Sequence, residues 1–313
     1  MLYLGSDFYF YMTEKFLEYI AIEKRYTQNT LISYRKDLED FLKFIIETEG
    51  HDDLMKIDKK VIRNFMVRLS QEKMAKRSIN RKLSTLRSFY LYLLKIGEIK
   101  TSPMESIQAL KFYAEKQIPF SEDEMNALQE TDLYNSEENF LKKTIIETLY
   151  QTGMRKAELC NLLHENVDFS KKELRITGKG NKTRIVPILD SLLEFLEKFN
   201  ALRKPEKEAE KYFFVSNKGK KLDPKFVYLT VNSYFSTITS KQKKSPHILR
   251  HSFATHVLGN GAEISKVKTV LGHSSLASTQ VYTTANIEQL KKVFNRAHPR
   301  AKKNGADGSG PEV

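Results

Sequence analysis

From about Thr13 to Lys100 apolar residues return every three or four positions, with no alternating stretch and few Gly or Pro, which predicts helices throughout. In YTQNTLISYRKDLEDFLKFI the residues Leu31, Tyr34, Leu38, Phe41, Leu42 and Ile45 form one apolar stripe, the core face of a helix. A second helix, Lys76 to Lys95, turns Ile79, Leu83, Leu86, Tyr90 and Leu93 inward and sets Arg77, Asn80, Arg81, Ser84 and Arg87 on other faces. Gly97 is its expected C-cap. Pro103 closes the run, and Lys111 to Pro119 has no clear period. Ser121 and Glu124 have the spacing of a capping box that opens a new helix. Further on, ELRIT and RIVPI flank the turn-rich GKGNKT, a β-hairpin pattern. Helices resume at Leu189 to Leu202, before the KQKK run at 241–244, and after Ser245, with Pro246 at the first helical position. The expected fold is mainly α with a small β-sheet in the second domain (α+β). The expected divisions are an extension over 1–11, a helical domain over 12–102, a linker over 103–119, a second domain over 120–300 and a disordered tail over 301–313.

At 313 residues the chain is long enough for two cores. Its 52 Lys and Arg against 39 Asp and Glu leave a formal charge of +13, which favours a polyanionic partner. No apolar stretch approaches the roughly 20 residues of a membrane span, so no membrane partner is expected. MLYLGSDFYFYM lacks the basic start and cleavage signal of a secreted chain, and Met12 is an alternative start. A single cysteine, Cys160, excludes an internal disulfide, fits a cytoplasmic location and makes a thiolate metal site unlikely to form. Between Lys73 and Lys100 eight basic residues face one acid, Glu98. Alone, such a helix is more often a solvated face than a nucleic-acid surface.

Candidate chemistry is concentrated in the second domain. His247 and Arg250, three apart on one helix, share a face and can reach one ligand. A guanidinium fork with an imidazole suits phosphate. An isolated pair of this kind is as compatible with an unrelated surface His and Arg. Arg155 stands at a helix start, where a cation opposes the helix dipole unless an anion is present. His273 follows Gly272, and Tyr282 lies nine residues later. A lone Tyr there is more often packing than nucleophile.

Taken together, these segments closely resemble the tyrosine recombinases of the phage-integrase superfamily, in particular the bacterial Xer-type proteins. TGMRKAEL is similar to the first arginine motif of that family, and ITGKGNKTRIVPI to its lysine hairpin. HILRHSFATH, VLGHSS and STQVYTTAN resemble its HxxR, LGH and tyrosine motifs. The motifs stand in the family's order, with 24 residues from Arg155 to Lys179, 23 from Arg250 to His273 and nine from His273 to Tyr282. In the first domain, NTLISYRKDLEDFLKF and RSINRKLSTLRSFYLYL resemble the helical DNA-clamping domain.

The resemblance implies a two-domain DNA clamp that cuts and rejoins DNA through a 3′-phosphotyrosyl link. It makes Tyr282 the nucleophile, Arg155 and Arg250 the phosphate clamp, and Lys179 the general acid. His247 becomes the acid-base partner and His273 a phosphate donor. Glu158 is the supporting carboxylate, unless it is an ordinary helix-surface Glu. Neither metal nor cofactor nor ATP is implied. DNA contacts are expected from Arg77, Arg81, Lys82 and Arg87 on the basic helix and from Lys182 and Arg184 on the hairpin. The implied partners are duplex DNA bearing a specific recombination site and a tetramer, of this chain or with a related recombinase, with Ile287 to Ala297 docking onto a neighbour. The rival readings are a type IB topoisomerase-like enzyme and a non-catalytic architectural DNA-binding protein.

Overall fold

The structure is a computed structural model that describes residues 4–113, 117–131, 139–178, 181–272 and 284–304. The chain forms two compact units, Met1–Glu115 and Lys116–Val313. Among the described residues no helix is long and apolar enough to cross a membrane.

The first unit consists of α1 (Leu4–Ile22), α2 (Gln28–Glu49), α3 (Lys59–Gln71) and α4 (Lys76–Lys95), with α2 packed on α1, α3 and α4. The helix α1 runs without a break through Met12, so residues 4–11 continue the first helix rather than standing apart as an extension. Both predicted stripes face the core: Leu38, Phe41 and Ile45 of α2 and Ile79, Leu83, Leu86, Tyr90 and Leu93 of α4 are buried. The linker expected from residue 103 starts later. Met104 and Ile107 belong to this core, and the Asn80 side chain clasps Leu110 through two hydrogen bonds of 2.8 and 2.9 Å.

Lys82 departs from its expected role as a DNA contact. It lies three residues after Ile79 and four before Leu86, on the apolar stripe, and is only 3% exposed. A buried ammonium requires a counter-charge. Its Nζ donates to Asp37 at 3.1 Å and to Asp40 at 2.5 Å. The fully buried Asp37 also accepts from Arg81 and from Thr85 Oγ1. Arg87 is likewise turned to its own unit, with Nη2 donating to the Ile107 carbonyl at 2.9 Å.

The second unit opens at Phe120, whose ring stacks on Phe235 and whose N–H donates to Ser252 Oγ. The capping box forms: Glu124 N–H donates to Ser121 Oγ and Ser121 N–H to Glu124 Oε2 at the start of α5 (Glu122–Gln129). Next come α6 (Phe140–Thr152) and α7 (Lys156–Cys160), then strands β1 (Val167–Asp168), β2 (Glu173–Thr177) and β3 (Thr183–Pro187). The sheet order is β1-β2-β3, both pairs antiparallel, with Leu174 opposite Val186 and Ile176 opposite Arg184. The two-residue β1 is too short to leave a periodic signal in sequence. The chain continues with α8 (Asp190–Leu202), α9 (Pro224–Ser236), α10 (Pro246–Gly259), α11 (Ile264–Leu271) and α12 (Thr284–Ala297). At the centre is α6, buried at every residue from Thr144 to Thr152 and packed against α8, α9 and α10.

The segment expected to dock onto a neighbour docks at home. Leu290, Phe294 and Ala297 of α12 are buried in the core of their own unit, Phe294 against Phe253. The chain then enters a 3-10 helix, Pro299–Asn304, so the expected disordered tail keeps structure as far as Asn304. Arg300 is 3% exposed, bonded to the Glu147 carboxylate, Asn126 Oδ1 and the Met125 carbonyl. His298 is wholly buried among Tyr150, Phe253 and Phe294, and burial pushes its imidazole down to about 3.

Two outcomes follow from this packing. Phe294→Ala should lower the stability of the second unit by about 3–5 kcal/mol, read by urea unfolding of dilute, DNA-free protein; unchanged stability would mean that α12 is not held in cis. Because the folded state keeps His298 neutral while the unfolded chain protonates it below the ordinary histidine value of 6.5, stability is present above that pH and lost as pH falls. The slope should reach about 1.4 kcal/mol per pH unit for this one proton. His298→Asn should flatten the curve between pH 6 and pH 4 by that amount, and an unaltered slope would refute the assignment.

Candidate active site

Arg155 is placed by a helix break. Gly153 ends α6 with φ of +60°, a left-handed conformation that glycine adopts at little steric cost, and the chain turns at once into α7 with Arg155 as its N-cap. Glu158, one turn on, folds back. Its Oε2 accepts the Arg155 N–H and its Oε1 accepts Arg155 Nη1, both at 2.8 Å. The local conflict of a cation at a helix start is thereby resolved by an acid in the same first turn. The Arg155 side chain remains 45% exposed, whereas that of Glu158 is 5% exposed. Glu158 is therefore no ordinary surface residue.

The helix α10 supplies the second arginine. Arg250 is 6% exposed, and its Nη1 and Nη2 donate to the carbonyls of Gly153 and Leu271, both at 2.6 Å. One side chain thus ties the end of α6, two residues before Arg155, to the end of α11. Burial, reinforced by the charge of Arg155, pushes the Arg250 guanidinium down to about 10, so it stays charged at neutral pH. His247, exposed one turn before Arg250, is held below the ordinary histidine value by desolvation and then by the charges of Arg250, His251 and Arg155. It is predominantly neutral at pH 7.

Arg184 is the residue whose role sequence reading missed. Expected on the DNA-facing hairpin, it is 4% exposed. Its Nη1 and Nη2 donate to Glu158 Oε1 and Oε2 at 3.0 and 2.7 Å, and its Nε donates to the Val270 carbonyl at 2.5 Å. It contacts the protein interior, not solvent. A signal was present: the strand alternation puts Arg184 on the face of buried Val186. Burial would raise the Glu158 carboxyl, but hydrogen bonds and charge from Arg184, with those of Arg155, outweigh it and hold the group below its usual value.

Arg155, Glu158, His247 and Arg250 are thus brought together from α7 and α10. Lys179, His273 and Tyr282 lie outside the described residues. Among the expected DNA contacts, Arg77, Arg81 and Lys182 are exposed, Arg81 being paired with Asp37. What is assembled is a set of fixed guanidinium donors with a neutral imidazole, suited to a tetrahedral or pentacoordinate phosphate.

Comparison with known proteins identifies the family. The Phage integrase family pattern matches residues 118–289, and the pattern for the phage integrase N-terminal SAM-like domain matches residues 13–97. The chain is 34% identical over 316 residues to tyrosine recombinase XerC of Chlorobaculum parvum, covering 92% of this chain and 94% of that one. It is also 34% identical over 294 residues to tyrosine recombinase XerD of Staphylococcus aureus, covering 92% and 98%. In fold it is similar to a lambda integrase dimer bound to a COC′ core site, with a TM-score of 0.65 at 16% identity over 96% of this chain and 98% of that one. A lambda integrase tetramer bound to a Holliday junction gives a TM-score of 0.65 at 17% identity, covering 87% and 79%. The family and relative matches make the chain a DNA strand-transferring enzyme. The chain belongs to the tyrosine recombinase/phage integrase family, and within it is Xer-like by identity.

The electrostatics of the site predict a titration. In the DNA-free protein the His247 imidazole should titrate below 6.5, and Arg250→Gln should move the midpoint upward by removing an adjacent positive charge. Ring-resonance NMR across pH 4–8 reads both; a midpoint at or above 6.5 in the unmodified chain would contradict the arrangement.

Proposed function

We propose that this chain is a site-specific recombinase of Xer type that cleaves and rejoins DNA through a 3′-phosphotyrosyl intermediate. The observation that carries the reading is the union of Arg155 and Arg250, 95 positions apart in sequence, through the Gly153 carbonyl. The Tyr282 phenolic oxygen attacks the scissile phosphorus. The bond to the deoxyribose 5′-oxygen breaks, and that oxygen takes a proton from Lys179. Arg155 and Arg250 hold the non-bridging oxygens, His273 donates to the phosphate, and neutral His247 exchanges the phenolic proton. The phosphoester energy is kept in the protein link, and the reverse attack by a 5′-hydroxyl rejoins the strand.

Structural relatives are described on core-site DNA and as a tetramer on a Holliday junction. We carry both to this chain as its working state: four protomers on two duplexes, of this chain alone or with a related recombinase, acting at cytoplasmic DNA. The 34% likeness to XerC and XerD proteins supports a Xer-like recombinase, acting in chromosome-dimer resolution or in the integration or inversion of a mobile element. Exposed Arg77 and Lys182 are offered as contacts to the DNA backbone, which makes affinity fall with salt.

The test is covalent trapping. Incubated with a duplex that this chain selects from a randomised pool, nicked beside the cleavage point, the protein should form an adduct stable on a denaturing gel. Tyr282→Phe should form none, and Arg250→Ala should be slower by about a hundredfold or more. Binding without an adduct would favour an architectural protein. Relaxation of supercoiled plasmid by a monomer, without exchange between sites, would favour topoisomerase-like action.

A further inference from the structure

The Arg184–Glu158 pair does more than close a strand against a helix, because both places where it is touched by backbone lead directly into family-motif residues. Gly178, the residue before Lys179, approaches so closely that a Cβ there would lie 3.1 Å from Glu158 Oε1 and 3.7 Å from Arg184 Nη1. Gly272, the residue before His273, would bring a Cβ within 3.2 Å of Arg184 Cδ. The same Arg184 takes the Val270 carbonyl, next to the Leu271 carbonyl that Arg250 takes. Two arginines therefore bind consecutive carbonyls at the end of α11, groups that a helix terminus leaves without intrahelical partners. On its other side Glu158 holds both the backbone N–H and a guanidinium nitrogen of Arg155.

We propose that Arg184 is a positioning residue for catalysis: with Glu158 it fixes the hairpin at Gly178 and the end of α11 at Gly272 against Arg155. The general acid is thereby set relative to the phosphate clamp by one buried ion pair. The inference rests on the proposed acid role of Lys179. The guanidinium is suited to this task because a planar group with donors on three nitrogens can hold a carboxylate and a carbonyl at once. An ammonium is a single point and cannot reproduce both contacts. Removing Arg184 alone leaves Glu158 a buried carboxylate bonded, among the described residues, only to Arg155, which costs stability, so positioning is separated from folding by a rate readout that bypasses the general acid.

The experiment uses the full chain, the pool-selected nicked duplex, and a second duplex carrying sulfur in place of the bridging 5′-oxygen. A thiolate leaves without needing a proton, so the sulfur duplex bypasses the general acid. Arg184→Met and Arg184→Lys are compared with Lys179→Ala and Arg250→Lys, with unfolding and duplex binding measured on each variant. Both Arg184 variants should cleave the oxygen duplex about a hundredfold slower or worse. They should recover most of that loss on the sulfur duplex, as should Lys179→Ala but not Arg250→Lys. Amide hydrogen exchange in the DNA-free chain should quicken at Gly178 to Lys182 and at Leu271 and Gly272 in both Arg184 variants.

Cleavage of the oxygen duplex at the unmodified rate would overturn the proposal, as would an equal loss on both duplexes while Lys179→Ala is rescued. If Lys179→Ala is not rescued, the acid assignment fails instead. Arg184 is then judged by exchange alone: protection unchanged at both places would end its positioning role, and faster exchange at both would uphold it. Should Arg184→Met fail to fold, Arg184→Lys carries the same comparisons.

Discussion

A single buried carboxylate makes the cationic site of the second unit possible. Arg155, Arg184 and Arg250 all act on Glu158, the first two by hydrogen bonds and the third through its charge. Removing two guanidinium groups from water costs several kcal/mol each. Helix ends offset part of this. The carbonyls that Arg250 binds are those of the C-cap of α6 and the last residue of α11, where the helix dipoles are negative. Such an end contributes about 0.3–1 kcal/mol, and up to ~2 kcal/mol in partly buried settings. That is too little to hold a buried cation alone, so Glu158 carries the larger share for Arg184, while Arg250 shows its deficit as a lowered pKa.

The same unit anchors both flanks of residues 273–283. Before them, the Val270 and Leu271 carbonyls are held by Arg184 and Arg250. After them, α12 buries Leu290 and Phe294, and the chain closes on the ion pair between Arg300 and Glu147 beneath α6. Glu147 lies on the helix whose end supplies Gly153. The C-terminal anchor at Glu147 and Arg250 at Gly153 are thus fastened to the middle and the end of one central helix. Disturbing Arg300 takes from the buried Glu147 carboxylate its bonded guanidinium, within two turns of the site.

What sequence disclosed was periodicity and spacing. The i, i+3 relation of His247 and Arg250 placed them on one helix face, and the structure shows Arg250 acting on the electrostatics of His247. Ser121 with Glu124 formed the box its spacing implied. Charge misled where a basic residue was read as facing solvent. Lys82 sits on the apolar stripe of α4, and Arg184 alternates with Val186 in β3, so each had an inward position written in its register. Their partners, Asp37 and Glu158, lie 45 and 26 residues away, and no local pattern announces such pairs. Likewise the apolar face of α12 was evident, but a stripe does not say which surface it covers. Nor did any local pattern announce the burial of Arg300 and His298, because their partners, Glu147 and Tyr150, belong to a helix about 150 positions earlier.

The unequal treatment of the arginines bears on what the site is for. Arg184 has a bidentate carboxylate and a carbonyl, which engage each of its three nitrogens. Among the described residues Arg250 is bonded through one N–H on each terminal nitrogen, to carbonyls, and a guanidinium has five N–H groups. Arg155 keeps nearly half its side chain exposed beside the neutral His247. A site built only for stability would pair every buried cation with an acid, because an uncompensated one costs several kcal/mol. In the proposed reaction a DNA phosphate, an anion with several acceptor oxygens, is held by Arg155 and Arg250. Its arrival would favour the charged form of Arg250 and raise the proton affinity of His247. Attack by the phenol calls for that second change, since the imidazole must then accept a proton that it does not hold in the free protein.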